Sequence, residues 1–188
     1  MMKRSLLALA AGMLAAGAAS AVPVQWAGNG HYYEFIDRAV TWGDAATAAS
    51  GMSYLGMTGY LATAVDSAEN MFISSNVGGG VLGWLGASDD GAEGNWTWRT
   101  GPEAGQALTY FNWFSGEPNN CCNGENFLQT NWGVVGQWND HGGPGNAGQA
   151  NGYFVEYSGV ASVPEPETWG LVALGLVGVA GLSRRRPR

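Results

Sequence analysis

From Ser88 to about Asn126 the chain is one turn after another: Asp89-Asp90-Gly91, Glu93-Gly94-Asn95, Gly116, Asn119-Asn120. Only the Trp96/Trp98 segment has strand character there. A stretch this long is not an ordinary connection inside a compact domain, and long irregular loops on a rigid scaffold usually carry function. The rest of the chain must therefore build a base that holds it. His31 to Ile36 reads as a first strand. Thr41 can cap an Ala-rich helix, with Asp44 in the acidic position of a capping box and Ala45, Ala46, Ala49 and Met52 on its apolar side. Gly59 to Thr63 is a short strand, Asp66-Ser67-Ala68-Glu69 opens a second helix, and Val81 to Ala87 is a buried strand. Phe127 to Trp132, Val134 to Trp138 and Tyr153 to Tyr157 supply three more. Strand, helix, strand, helix and then several strands reads as α+β with antiparallel sheets and a long functional loop.

The end of that loop and the strands after it carry Glu117-Pro118-Asn119, Glu125 and Trp138-Asn139-Asp140. The side chains run carboxylate, amide, carboxylate, amide, carboxylate. All five offer hard oxygens, the donors that Ca²⁺ takes 6–8 at a time. Three carboxylates around one Ca²⁺ leave about one negative charge, and five protein ligands leave coordination positions open for a sugar's paired hydroxyls. The alternative for such a set is a solvated acidic loop.

Both ends read as processing segments. Lys3 and Arg4, an apolar run from Leu6 to Ala18 and Ala19-Ser20-Ala21 have the three parts of a secretory signal peptide over residues 1–21. At the other end Val163-Pro164-Glu165-Pro166 precedes an apolar run from Trp169 to Leu182 and four arginines, Arg184, Arg185, Arg186 and Arg188. The run is short for a membrane-spanning helix, which needs about 17–25 residues. The arginines are expected to stay on the cytoplasmic side of the inner membrane, with residues 22–162 outside as one domain. Plain membrane anchors are the alternative at either end.

Six of the eight basic residues fall in these segments, so the domain keeps only Arg38 and Arg99. Against 13 of the 15 acids its net charge is −11, well below the −7 of the whole chain. Such a surface disfavours nucleic acid and anionic membranes and suits a bound cation and neutral ligands. Eight of the nine tryptophans lie in the domain, which therefore has an aromatic core and is not a disordered acidic chain. The two cysteines, Cys121 and Cys122, are neighbours and cannot staple distant parts of the fold. A bond between them, free thiols and a bond to another chain all stay open.

Taken in order, these segments resemble the C-type lectin-like domains over nearly all of residues 24–158. Trp42-Gly43-Asp44-Ala45-Ala46 is similar to the first-helix motif, and Gly59-Tyr60-Leu61-Ala62 with Ser67-Ala68-Glu69-Asn70 to the link into the second helix. Trp84-Leu85-Gly86-Ala87-Ser88-Asp89 resembles the family's Trp-Ile-Gly-Leu strand, and Glu93-Gly94-Asn95-Trp96-Thr97-Trp98 the turn and strand after it. Glu117-Pro118-Asn119, Glu125 and Trp138-Asn139-Asp140 match the principal calcium site. The resemblance implies a cis peptide before Pro118. It implies that Glu117/Asn119 and Glu125/Asn139 grip a sugar diol while Asp140 completes the metal shell. It implies mannose- or glucose-type sugars, with equatorial hydroxyls. A second site would comprise Asp89, Glu93, Asn120, Glu125 and Asn126, weakened because relatives with a strong site use acids where Asn120 and Asn126 stand here. The family's two usual disulfides are missing, with Phe127 and Val155 where cysteines are expected.

The tail resembles the PEP-CTERM sorting signals of Gram-negative bacteria, which implies removal by an exosortase-type membrane protease. Together the readings describe an exported calcium-dependent lectin of a bacterial surface or exopolysaccharide matrix. A calcium-stabilised protein-interaction or matrix module without sugar binding is the alternative. No Ser/His/Asp or Cys/His arrangement converges, so an enzyme is not expected. His31 is read as structural, and His141, in a Gly-rich stretch, as simply exposed.

Overall fold

The computed structural model describes residues 22–143, 148 and 150–159. The expected signal peptide and sorting tail lie outside these residues. No helix among the described residues is long and apolar enough to cross a membrane.

Both helices start where the capping chemistry places them. In α1 (Trp42–Ser50) the Thr41 hydroxyl accepts from the Asp44 N–H at 3.3 Å, and Ala45 and Ala49, one turn apart, are fully buried. In α2 (Ser67–Met71) the Asp66 carboxylate accepts from the N–H groups of Ala68 and Glu69, at 2.8 and 2.9 Å. The chain then continues in wider helical turns over Phe72–Val77.

The described residues form nine strands: β1 (Val24–Gln25), β2 (Tyr32–Ile36), β3 (Ser53–Tyr54), β4 (Met57–Leu61), β5 (Gly83–Ser88), β6 (Thr97–Trp98), β7 (Phe127–Thr130), β8 (Trp138–His141) and β9 (Gly152–Tyr157). The order is β1-β2-β9-β5-β7-β8, with β4 also on β9, β3 on β4 and β6 on β5. β9 is the joint between two halves. One edge takes β2 along its whole length, while the other is shared between β4 and β5. Covered on both faces, all six of its residues are buried. The β5–β9 junction, Gly83 opposite Gly152 and Trp84 opposite Tyr153, is parallel. Among the named strands that short contact departs from an otherwise antiparallel α+β arrangement, and the isolated bridge between Trp113 and Trp138 is parallel too.

The expected strand from Val134 to Trp138 is not there, and the strand begins only at Trp138. Gly133 and Gly136 adopt φ of 66° and 81°, the left-handed region that glycine enters freely, and they bend Trp132 to Gln137 into a tight loop. Val134 and Val135 stand exposed on it. Hydrophobic packing occupies the places of the missing disulfides. Phe127 stacks on Trp42 with ring centres 4.9 Å apart, and Val155 is fully buried.

Among the buried acids, Glu69 on α2 and Glu156 on β9 share one network. The Tyr33 hydroxyl lies 2.7 Å from Glu69 Oε1 and 3.2 Å from Glu156 Oε1. His31 Nδ1 is 2.6 Å from Glu156 Oε1, and the backbone N–H groups of Thr63 and Val65 cover the remaining oxygens. The hydrogen bond to Glu156 raises the His31 pKa against the opposing effect of burial. This network ties β2 and His31, the residue before it, to α2 and β9, which is the structural role expected of His31.

A rim of carboxylates and amides on the long loop

The long loop is fastened to the sheet at Trp138. The Trp138 N–H donates to Asn112 O at 2.9 Å, and Phe114 N–H donates to Trp138 O at 2.8 Å. The indole is fully buried, with its Nε1–H on Asn70 Oδ1 at 2.8 Å and the rings of Tyr110 and Trp113 edge-on against it. Three residues past Phe114 comes Glu117, joined to Pro118 by a cis peptide as the resemblance implied. β7 and β8 then pair Leu128 with Asp140 and Gln129 with Asn139, which brings Asn139 and Asp140 back beside the loop.

The loop is organised around Asp140, which is 1% exposed. Its Oδ1 accepts from the Asn119 N–H at 3.1 Å and its Oδ2 from the Asn120 N–H at 2.7 Å. The Glu125 N–H donates to Asn120 Oδ1 at 2.8 Å. The Cys121 N–H is shared between Asn119 Oδ1 at 2.9 Å and Glu125 Oε2 at 3.2 Å. Glu117, Asn119, Glu125 and Asp140 are thus gathered on one rim. Asn139 is buried beside Asp140 in β8, but its amide makes no hydrogen bond to the other four among the described residues.

Of the second candidate group, Asn120 Nδ2–H donates to Glu93 Oε2 at 2.6 Å, and the N–H of Gly94 donates to Asp89 Oδ2 at 2.8 Å. Asn126 turns instead toward Asp90, its Nδ2 3.5 Å from Asp90 Oδ1.

Electrostatics mark the same rim. Burial, a hydrogen bond shared with Asp140 and the charges of Asp140 and Glu125 push Glu117 up to about 7. Burial first, then Asp140 and Asp90, raises Asp89; burial, then Asp89 and Asp140, raises Glu93. Two buried carboxylate oxygens, Glu117 Oε2 and Asp89 Oδ1, have no hydrogen-bond partner among the described residues. A buried, unpaired carboxylate oxygen among like charges is a poor arrangement by itself and a good one for a cation. Among the described residues no three or more His, Cys, Asp and Glu side chains are set closely enough to hold a metal alone. The donor set therefore needs its amide oxygens. Each carboxylate oxygen that accepts an N–H here keeps a further lone pair for a cation.

His141, which the sequence reads as exposed, is half-buried at the end of β8, its Nδ1 3.1 Å from Glu125 Oε1 and its ring stacked 5.8 Å from Trp84. Three cavities of about 360–380 Å³ open elsewhere among the described residues, and none of these three is walled by Glu117, Asn119, Glu125, Asn139 or Asp140. An open rim suits a ligand gripped by one edge.

Residues 162–186 match the PEP-CTERM protein-sorting motif, which marks an exported protein processed at its C-terminus. Over 112 residues the chain is 34% identical to Lectin BRA-3 of Megabalanus rosa, covering 60% of this chain and 64% of that one. It is 36% identical over 143 residues to Halomucin of Haloquadratum walsbyi, 71% of this chain but only 2% of that protein. The chain thus spans less than two thirds of either relative. The crystal structure of the C-type lectin CEL-I from Cucumaria echinata superposes with a TM-score of 0.58 at 27% identity, covering 73% of this chain and 97% of that one. The domain has the C-type lectin fold, and the chain has C-type lectin homologues by sequence and by structure.

Proposed function

We propose that this exported chain, which joins a domain of the C-type lectin fold to a PEP-CTERM sorting motif, is a calcium-dependent sugar-binding module of a bacterial surface or exopolysaccharide matrix. The observation that carries the reading is the rim itself: Glu117, Asn119, Glu125 and Asp140 gathered, among the described residues, with an unpaired carboxylate oxygen and with His141 as their one basic contact. When bound, Ca²⁺ would supply a centre that accepts lone pairs from two neighbouring hydroxyls. Glu117, Asn119, Glu125, Asn139 and Asp140 would hold it, and Asp89, Glu93, Asn120, Glu125 and Asn126 form a second, weaker set. Carboxylates only accept hydrogen bonds, whereas an amide NH₂ donates. Glu117 with Asn119 and Glu125 with Asn139 therefore offer each hydroxyl of a diol one acceptor and one donor. Glu117-Pro118-Asn119 is the order that favours mannose- or glucose-type diols. The carboxylates of the rim are assigned to this grip, so the module is read as a binding domain and not as an enzyme.

Binding at one shallow diol site is expected to be weak, with a Kd on the order of millimolar. Calorimetry of the purified protein with mannose should show heat in calcium and none in chelator. The double substitution Glu117→Gln with Asn119→Asp should move the preference toward galactose. If no sugar on an array binds in a calcium-dependent way, the protein-interaction reading replaces this one.

The domain is read as residues 22–162, between a signal peptide over 1–21 and a tail over 163–188 removed by an exosortase-type protease. Mass spectrometry of the mature protein from its host should place the C-terminus near Val163. Recovery of most molecules ending at Arg188 in the membrane fraction would show a lasting anchor instead.

A further inference from the structure

A disulfide joins Cys121 to Cys122 in the middle of the candidate loop. Both residues are exposed, and they are the chain's only cysteines. The sugar-binding reading gives this bond no role, yet it sits between the candidate ligands. The Cys121 N–H bridges Asn119 Oδ1 and Glu125 Oε2, and Cys121 O accepts from the Gly124 N–H at 3.0 Å. Inside the turn so closed, Cys122 and Asn123 have φ of 61° and 75°. That left-handed region is disfavoured for a side chain with a Cβ. Asparagine tolerates it through local hydrogen bonds; cysteine has no such help.

The covalent link explains how Cys122 is kept there. In extended backbone, neighbouring side chains point to opposite sides. Two neighbouring sulfurs bonded to each other must lie on the same side, so the link excludes the extended conformations the loop would otherwise sample. Cut the bond, and Cys122 is free to leave the left-handed region. The link then no longer fixes the position of the neighbouring Cys121 N–H, which Asn119 Oδ1 and Glu125 Oε2 share.

We propose that the Cys121–Cys122 disulfide is a redox latch on the ligand-bearing loop, closed by a disulfide donor after export and opened by a dithiol reductant. The proposal rests on the calcium reading above. In opening, a thiolate of the dithiol attacks one cysteine sulfur, the S–S bond breaks, and a mixed disulfide forms. The second thiol of the reductant displaces that cysteine. The products are two cysteine thiols and one oxidised dithiol, with two electrons and two protons passed to the protein. Export delivers the chain to a compartment where disulfides persist, so the loop is latched where the protein works and open where it is made.

The test is calcium titration calorimetry on the oxidised protein, on the protein reduced with dithiothreitol, and after reoxidation. Hydrogen exchange of residues 117–125 is followed alongside, without calcium. Reduction is expected to weaken calcium binding at least tenfold and to speed exchange at Cys121 and Glu125, and reoxidation to restore both. The double variant Cys121→Ser/Cys122→Ser should bind calcium as the reduced protein does and ignore the reductant. Equal calcium affinity in the two redox states, or unchanged exchange, overturns the latch while leaving the calcium reading in place. Absence of calcium binding from the oxidised protein overturns both.

Discussion

Calcium added to the calcium-free protein at pH 7.5 is expected to raise its melting temperature by about 10 °C. A ligand at a hundredfold excess over its Kd stabilises the folded form by about 2.7 kcal/mol, and a domain of this size gains a few degrees for each. The gain should depend on pH in a stated direction. Burial and its acidic neighbours raise Glu117 from 4.5 to about 7, so between those values the folded protein binds more protons than the unfolded chain. The sign is then fixed: the stability this group contributes is complete below its unfolded pKa and is lost as pH rises through 7. The calcium-free protein should therefore weaken from pH 5 to pH 7.5. A cation relieves the same repulsion, so the calcium gain should be larger at pH 7.5 than at pH 5. Glu125→Gln, which keeps the side chain's size but not its charge, should remove most of the gain at both. Melting curves that ignore calcium at pH 7.5 would sink the site.

What could be read from the sequence was local chemistry. Thr41 with Asp44 and Asp66 with Glu69 announce two helix starts, because a cap is decided within four residues. The turn-rich stretch announced an ordered loop for the same reason. What failed was decided at long range or by backbone freedom. Val134 to Trp138 looks like a strand, but Gly133 and Gly136 can take up positive φ and did. His141 looked exposed because its partners, Glu125 and Trp84, come from other elements. The His31–Glu156 contact spans 125 residues, and no periodicity points to it. The candidate rim was legible as an ordered set of oxygen donors. The grouping of Glu117, Asn119 and Glu125 around Asp140 was not, since it depends on loop hydrogen bonds made by backbone N–H groups, which carry no residue signature.

The other large effect is expected at Trp138. Its indole is fully buried, bonds Asn70 and meets two further aromatic rings edge-on. Its backbone holds Asn112 and Phe114 of the long loop, and the next two residues in β8 are Asn139 and Asp140. Trp138→Ala should cost about 3–5 kcal/mol through lost burial and the cavity left behind, with the Asn70 oxygen losing its donor as well. That is a large share of the stability of a domain this size. Trp138→Phe keeps much of the aromatic contact but not the Nε1–H, so its loss should be about 1–3 kcal/mol. Urea denaturation should rank the proteins wild type, Phe variant, Ala variant. Because Trp138 carries the loop's return to the sheet, both variants should lose calcium response in the same order as they lose stability. An alanine variant within 1 kcal/mol of wild type would mean that the loop is fastened elsewhere. A Phe variant that keeps the full calcium response would mean that the rim holds its shape without the Asn70 bond.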